Sequence, residues 1–200
     1  MRPTSFFAAL LVVLAGAALL VARNDRPATA SRGTVTLVGD SLNKGVERYL
    51  LEALPGWKMV ANDRVGRSTS GAIVELEAER PALSSYVVIS LGTNDLPAEE
   101  TAFRRDVARV LALIGQNRCV LWATIWRNGA PNDAFNGILR EAAGANRRVR
   151  LVEWADMVER HPEWLAADGL HGNEEGYRQR ALAVGAAVKA CMPGQTASQG

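Results

Sequence analysis

Five short runs of mostly apolar residues, each separated from the next by a segment with helical spacing, constrain the fold of this chain more than any other feature. The runs are Thr34–Val38, Trp57–Ala61, Tyr86–Leu91, Cys119–Ala123 and Val149–Val152. Strands of this composition are buried on both faces, and their alternation with helices predicts right-handed βαβ units. The sequence therefore predicts an α/β fold, a three-layer α/β/α sandwich with about five parallel strands.

The helical segments provide the connections of this predicted sheet. They are Leu42–Leu54, Gly71–Arg80, Glu99–Gly115, Asp133–Ala145 and Glu174–Lys189. In an open parallel sheet, ligands bind outside the carboxyl ends of the strands. The residues that directly follow each apolar run are therefore the candidates for a functional site.

The first thirty residues differ from the rest of the chain. Arg2 precedes an apolar run over residues 6–22, and Ala28-Thr29-Ala30 fits the small-residue motif of an export cleavage site. The pattern predicts either a cleaved signal peptide or an N-terminal membrane anchor, with a buried core helix as a third interpretation. Both leading interpretations place the domain outside the cytoplasm. The predicted boundaries are residues 1–30 for the export segment, 31–192 for the folded domain and 193–200 for a disordered tail.

The charge balance argues against nucleic acid as a partner. Residues 1–30 hold three of the 23 Lys and Arg residues and one of the 21 Asp and Glu residues. The remainder of the chain is therefore near neutral and shows no basic footprint for a phosphate backbone.

Two cysteines, Cys119 and Cys191, are present in the sequence. If the domain is exported, an oxidising compartment favours a disulfide between them. Two buried free thiols are the alternative.

The first strand ends in Gly39-Asp40-Ser41-Leu42. Ser41 then falls at the strand-to-helix turn, where its hydroxyl faces solvent and the first helical N–H groups favour developing negative charge. Gly39 allows the chain to turn sharply. The pattern indicates a nucleophile, or else a serine at or near a helix N-cap with Asp40 satisfying another N–H.

Two further segments carry groups that suit an oxyanion. Gly66, in the loop after the second run, presents a backbone N–H with no side chain in the way. Asn94, in Gly92-Thr93-Asn94-Asp95 after the third run, offers a side-chain amide. Taken singly, these are also ordinary loop and turn residues.

Asp168-Gly169-Leu170-His171 directly precedes the last helix. This spacing lets Asp168 accept from one ring nitrogen of His171 and leaves the other nitrogen free to act as a base. A solvated histidine in a helix-entry turn is the alternative, and His161 is expected to be a surface residue. With Ser41 as the hydroxyl, the set has the equipment for acyl transfer.

These four segments, in this order, resemble the four motifs of the SGNH, or GDSL-type, hydrolases. Gly39–Leu42 resembles the nucleophile motif, Gly66 the glycine motif, Gly92–Asp95 the asparagine motif and Asp168–His171 the acid–base motif. The resemblance implies a flavodoxin-like sandwich without the GxSxG turn of α/β-hydrolases. It also implies a triad of Ser41, Asp168 and His171, with an oxyanion hole made by the N–H groups of Ser41 and Gly66 and the side chain of Asn94.

Two shorter stretches, Arg64–Arg67 and Leu121–Thr124, resemble secreted domains associated with membrane acyltransferases that O-acetylate cell-envelope glycans. The sequence has no multi-span acyltransferase portion, so hydrolysis and acyl transfer both stay open. Trp126 and Arg127, after the fourth run, are candidates for contact with a glycan or an acyl group, although Trp126 equally fits the edge of the core.

The sequence thus predicts a secreted or membrane-tethered serine esterase that hydrolyses or transfers short acyl esters. O-acetyl groups on a carbohydrate or cell-envelope glycan are the expected substrate, and residues 6–22 are the expected tether if the signal is uncleaved. A lysophospholipase or thioesterase is one alternative, and a non-catalytic glycan-binding domain is the other. The sequence contains no metal-ligand cluster or nucleotide-binding loop, so no cofactor is expected; the oligomeric state is not predicted.

Overall fold

A five-stranded parallel sheet forms the centre of the protein in a computed structural model that describes residues 32–79, 82–96, 98–127 and 129–191. In chain order the strands are β1 (Gly33–Gly39), β2 (Trp57–Asp63), β3 (Tyr86–Ser90), β4 (Cys119–Ala123), β5 (Trp126–Arg127), β6 (Ala130–Pro131) and β7 (Val149–Val152). The large sheet has the order β2-β1-β3-β4-β7, and β5 and β6 form a separate antiparallel pair. The predicted α/β class with five parallel strands is confirmed.

Helices cover both faces of this sheet. They are α1 (Ser41–Ala53), α2 (Thr69–Glu79), α3 (Glu100–Ile114), α4 (Asp133–Ala145), α5 (Trp154–Arg160) and α6 (Glu174–Ala190). Helices α1, α5 and α6 contribute to one apolar cluster, and α2, α3 and α4 contribute to the other. Leu121 and Trp122, neighbours on β4, belong to opposite clusters, as the alternation of side chains along a strand requires. The fold is therefore the predicted three-layer sandwich.

The carboxyl ends of three adjacent strands lie level with one another. Gly39, the last residue of β1, pairs with Asp63 at the end of β2 and with Ser90 at the end of β3. The segments that follow these strands therefore leave the sheet side by side. This register brings the Ser41 turn, the Gly66 loop and the Asn94 turn to one edge. That edge is where an open parallel sheet binds its ligands.

Three short elements were not predicted from the sequence. They are α5, the β5–β6 pair and a 3₁₀ turn over Pro162–Trp164. The helix has only seven residues and the strands two each, which is too short for a hydrophobic period to be recognised. Tertiary packing, with Trp154 and Val158 fully buried, stabilises α5 where local propensity does not.

Cys119 at the start of β4 and Cys191, the residue directly after α6, are joined by a disulfide. The predicted export segment, residues 1–30, and the predicted tail, residues 193–200, lie outside the described residues. None of the helices in the described part of the chain has the length and apolarity needed to cross a bilayer.

Candidate active site

Ser41 is the first residue of α1 and follows β1 after a single residue. That residue, Asp40, is the N-cap, and its Oδ1 accepts from the Leu42 N–H at 3.0 Å. Gly39 has no room for a side chain, because a Cβ there would lie 2.7 Å from the Cβ of Asn43. Asp40 and Gly39 together fix the position of Ser41 at the carboxyl edge of the sheet, where Ser41 is half-buried.

A tight loop between the 3₁₀ turn and α6, which we call the acid–base loop (residues 165–172), carries Asp168 and His171. Backbone bonds close it, from the Ala166 N–H to the His171 carbonyl at 2.7 Å and from the Gly169 N–H to the Ala166 carbonyl at 2.9 Å. Asp168 Oδ1 accepts from the N–H groups of Leu170 and His171 at 3.0 Å each. The loop thus fixes its own carboxylate and leaves Oδ2 for the imidazole.

The three residues of the predicted triad lie in hydrogen-bond contact. His171 Nε2 is 2.9 Å from Ser41 Oγ, and His171 Nδ1 is 2.7 Å from Asp168 Oδ2. The hydrogen bond from the His171 ring, followed by those from two backbone amides, lowers the pKa of Asp168 to about 2. An ionised carboxylate only accepts, so Nδ1 carries the hydrogen and Nε2 is left to accept from the serine hydroxyl.

The three predicted oxyanion donors lie at the same edge. The N–H of Ser41, at the first helical position, has no acceptor within α1. Gly66 adopts a φ of +74°, which favours glycine, and its N–H has no acceptor among the described residues. Asn94 Nδ2 donates to Asp40 Oδ2 at 3.1 Å and to the Arg67 carbonyl at 3.2 Å. Asn94 therefore has to share one of these hydrogens to bind an oxyanion.

A buried polar network that the sequence analysis did not predict lies beneath Ser41. Asp40 is fully buried, and Arg180 on α6 is 1% exposed. Arg180 Nη2 donates to Ser90 Oγ at 2.8 Å, and Ser90 Oγ donates to Asp40 Oδ1 at 3.2 Å. Burial raises the pKa of Asp40, although the positive charge of Arg180 acts in the opposite direction. Burial also lowers the pKa of Arg180 to about 10. The network fixes Asp40, which in turn holds both α1 and Asn94.

One member of this network had a recognisable sequence signal. Arg180, Val184 and Val188 lie on one buried face of α6 at a spacing of four residues. A single arginine on such a face indicates a buried cation, which needs a partner. Ser90 had no such signal, because it ends an apolar strand and its partner is 50 residues away in the sequence.

Asp63, the last residue of β2, is a second carboxyl group in this region. Its Oδ1 accepts from Asn43 Nδ2 at 3.1 Å, whereas its buried Oδ2 has no partner among the described residues. Burial is the main cause that raises the pKa of Asp63 to about 7. This side chain therefore gains a charge near neutral pH in a place that solvates it poorly.

Replacing Asp63 with asparagine is expected to flatten the pH dependence of stability. The folded pKa of about 7 exceeds the ordinary value of 3.8, so the folded state binds an extra proton between these values. Stability is therefore lost as the pH rises through this window. We expect a lower melting temperature at about pH 8 than at about pH 5, and a smaller difference in Asp63→Asn, whose amide cannot ionise.

The matched control for this prediction is Asp133→Asn, at an exposed position in the first turn of α4. It is expected to keep the wild-type slope of melting temperature against pH. An Asp63→Asn protein that also kept that slope would contradict the role assigned to Asp63.

Trp126 and Arg127, the predicted substrate contacts, are buried in β5 at 7% and 9% exposure. Trp126 Nε1 donates to the Gly169 carbonyl and Arg127 Nη1 donates to the Asp95 carbonyl, whereas the buried Nη2 of Arg127 has no partner among the described residues. Arg127 also lines a cleft of about 610 Å³ between the Asn94 turn and the acid–base loop, so its contact with substrate stays a prediction. Burial gives no support to such a contact for Trp126.

Polar and apolar surface contribute about equally to the cleft. Its walls include Thr93, Asn94, Asp95, Arg127, Asp168 and Leu170. In the part of the chain that the structure describes, no group of three or more His, Cys, Asp and Glu side chains is arranged to hold a metal ion. His161 stacks on Trp164, outside the acid–base loop, with 4.1 Å between the ring centres.

Comparison with known families gives a match over most of the chain. A model of the GDSL-like lipase/acylhydrolase family matches residues 22–179, which include all four predicted motifs. No curated protein matches the chain at a significant level.

Several solved structures have a similar fold. The C-terminal catalytic domain of peptidoglycan O-acetyltransferase A from Streptococcus pneumoniae is 20% identical, with a TM-score of 0.62 over 81% of this chain and 93% of that chain. A lipase/acylhydrolase from Enterococcus faecalis is 20% identical, with a TM-score of 0.65 over 82% and 99%. The family 3 carbohydrate esterase of Clostridium thermocellum is 17% identical, with a TM-score of 0.61 over 76% and 92%. At these identities the likeness establishes the fold.

Proposed function

Because the chain belongs to the GDSL-like lipase/acylhydrolase family, and is therefore a serine hydrolase of ester bonds, we propose that it removes short acyl groups, above all acetyl, from a carbohydrate of the cell envelope. Ser41, His171 and Asp168 are its catalytic triad. The observation that carries this proposal is the continuous hydrogen-bonded path from Ser41 Oγ through the imidazole to Asp168, with steps of 2.9 and 2.7 Å.

The reaction begins with attack of Ser41 Oγ on the ester carbonyl. His171 Nε2 takes the hydroxyl proton and then gives it to the departing sugar oxygen, which leaves an acyl-enzyme. Asp168 holds the ring in the tautomer with hydrogen on Nδ1 and stabilises the imidazolium that forms. Water then releases the acyl group, or a second sugar hydroxyl accepts it when transfer competes with hydrolysis.

The developing oxyanion binds to the N–H groups of Ser41 and Gly66 and to the side-chain amide of Asn94. The unpartnered N–H of Gly66 and the solvent-exposed position of Asn94 support this assignment. Each such donor typically lowers the barrier by about 2.7–4 kcal/mol. Asn94 exchanges one of its two protein acceptors for the oxyanion during the reaction.

Polar side chains on the walls of the cleft beside the triad support a hydroxyl-rich substrate. Thr93, Asn94, Asp95 and Asp168 offer hydrogen bonds to sugar hydroxyls, and Leu170 is the one large apolar residue of this wall. Two of the structural neighbours are a peptidoglycan O-acetyltransferase and a carbohydrate esterase, which supports the same class of substrate.

An extracytoplasmic location completes the proposal. The disulfide between Cys119 and Cys191 supports it, because disulfides persist in oxidising compartments. The basic and apolar pattern of residues 1–30 supports export, with residues 6–22 as the membrane tether if they are not removed.

A lipid acyl hydrolase is the second candidate, and one observation favours it. Val65 directly precedes Gly66, and Leu96 follows Asn94 by two residues. These two side chains are 68% and 63% exposed. Apolar side chains in such positions offer contact area to a long acyl chain.

The two candidates are separated by the chain-length preference of the full chain on 4-nitrophenyl acetate, butyrate and octanoate. We expect kcat/KM to fall by at least about tenfold from acetate to octanoate, because a site built for a short acyl group rejects additional methylenes. A rise from acetate to octanoate would support the lipid hydrolase. Absence of turnover, together with no labelling by a serine-reactive phosphonate, would support the non-catalytic glycan-binding alternative.

A further inference from the structure

The short strand β5 hydrogen-bonds to both segments that carry the proposed catalytic groups. Trp126 Nε1 donates to the carbonyl oxygen of Gly169 at 3.1 Å. Gly169 lies between Asp168 and His171 in the acid–base loop and adopts a φ of +67°. The indole therefore holds this loop at the stretch of backbone that joins the two residues of the proton path.

Arg127, the next residue, holds the Asn94 turn. Its Nη1 lies within hydrogen-bond reach of three carbonyl oxygens of that turn, at 3.4 Å from Gly92, 3.2 Å from Thr93 and 2.5 Å from Asp95. The guanidinium carbon lies 4.9 Å from the centre of the Phe135 ring. Hydrogen bonds to a charged donor are stronger than neutral ones, so the convergence of three carbonyls on one cation fixes the turn firmly.

The strand itself is fixed to α4 from below. Asn136, which is fully buried, donates to the Ile125 carbonyl at 3.0 Å and accepts from the Ile125 N–H at 2.7 Å. Successive side chains of a strand point to opposite sides. From this fixed base, Trp126 therefore reaches the acid–base loop while Arg127 reaches the Asn94 turn.

We propose that Trp126 and Arg127 are positioning residues that set the spacing between the acid–base loop and the Asn94 turn, and with it the alignment of His171 and Asn94 on the acyl carbon held by Ser41. This inference rests on the proposed function. The two side chains act through the backbone of the loops and do not touch the reacting atoms.

Packing alone does not account for this arrangement. A tryptophan at the edge of a core needs only ring contacts, whereas the N–H of Trp126 bonds to the acid–base loop. An arginine that is 9% exposed carries a large desolvation penalty unless its donors are bonded. Arg127 meets that requirement at Nη1, through the backbone of the turn that presents Asn94, whereas its buried Nη2 has no partner among the described residues.

The first variant is Trp126→Phe, which keeps an aromatic ring and removes the N–H donor. We expect kcat for a short acyl ester to fall about tenfold to hundredfold with KM within about twofold, because small misplacements of reacting groups lower the rate without weakening binding. Trp57→Phe is the matched control, since Trp57 lies at the start of β2, at the opposite edge of the sheet. It is expected to leave kcat unchanged.

The second variant is Arg127→Lys, which keeps the charge. An ammonium group on a flexible stem does not reproduce the planar guanidinium, whose position over the Phe135 ring directs Nη1 at the three carbonyls. We expect a loss in kcat of similar size.

The two variants are distinguished by the proton resonance of the His171 Nδ1–H that bonds to Asp168. Trp126→Phe is expected to shift or broaden this resonance and to slow phosphonate labelling of Ser41. Arg127→Lys acts on the other segment, so the resonance is expected to stay in place while kcat falls. A residue that only stabilised the fold would not separate the two readouts in this way.

A third protein carries 3-benzothienylalanine in place of Trp126, which closely preserves the shape of the side chain and has sulfur in place of the N–H donor. If Trp126→Phe does not fold, the test uses this protein. A kcat within about twofold of wild type and an unchanged His171 resonance would overturn the proposal. Failure of the isosteric protein to fold would also overturn it, because the N–H would then serve folding. A wild-type chain that does not react with the phosphonate would instead refute the proposed function.

Discussion

Loss of the Ser41 hydroxyl is expected to reduce kcat for a short acyl ester by about a million-fold, the largest effect on activity in this protein. Ser41 Oγ is 2.9 Å from His171 Nε2 and is the protein atom that forms a bond to the acyl carbon in the proposed mechanism. Alanine leaves the imidazole and the oxyanion donors in place, so weak residual catalysis by bound water is expected. The measurement is turnover of 4-nitrophenyl acetate by Ser41→Ala, with the mass of the phosphonate adduct as a second readout.

The control for this experiment is Ser70→Ala, in an exposed position in the first turn of α2. It is expected to keep wild-type turnover and to form the same single adduct. The melting temperature of Ser41→Ala is expected to stay near that of wild type, because Asp40 and not Ser41 caps α1. Wild-type turnover in Ser41→Ala would remove Ser41 from the mechanism.

Replacing Arg180 with methionine is expected to lower the free energy of unfolding by about 3–5 kcal/mol, the largest effect on stability. The substitution leaves Asp40 fully buried without the cation that opposes its desolvation. It also removes the donor to Ser90, which itself donates to Asp40. Denaturant unfolding, compared with wild type at neutral pH, measures this difference.

Two further proteins isolate the charge effect. Arg178→Met, on the same helix, removes ion pairs of an exposed arginine with Glu174 and Glu175 and is expected to change stability by less than about 1 kcal/mol. The double variant Asp40→Asn/Arg180→Met leaves no buried unpaired charge and keeps an oxygen to accept from Leu42. It is expected to be more stable than Arg180→Met alone. The loss of unfolding free energy in the double variant is compared with the losses in Asp40→Asn and Arg180→Met. A loss equal to the sum of the two single losses would contradict the coupling.

The strands and main helices were predictable from sequence because their signals are local. Val35 and Leu37 on β1 pack in one apolar cluster and Val38 packs in the other, and Thr36 is also buried, so the run is covered on both faces. The predicted span of α4, Asp133–Ala145, is the observed one. The candidate triad was also accessible, because Asp168 and His171 lie within one turn of chain and Ser41 follows a strand. Each signal depends on residues close to one another in the sequence.

The β5–β6 pair and the network beneath Ser41 were not predictable in the same way. Trp126 was predicted to contact substrate or to cover the core edge, whereas its N–H bonds to a residue 43 positions further along. Arg180 meets Ser90 over a separation of 90 residues. Pairings of this kind depend on strand order and on the rotation of each helix, which are set when the layers pack.

The sequence by itself determined the layers of this protein, the edge at which its site lies and the chemical groups delivered to that edge, because apolar period and strand–turn–helix order are local properties. Only the tertiary structure decided which donors meet which acceptors. The separations that matter, 2.9 Å from Ser41 to His171 and 3.1 Å from Trp126 to Gly169, join segments far apart in sequence. Such distances follow from the packing of the whole core, which no local pattern encodes.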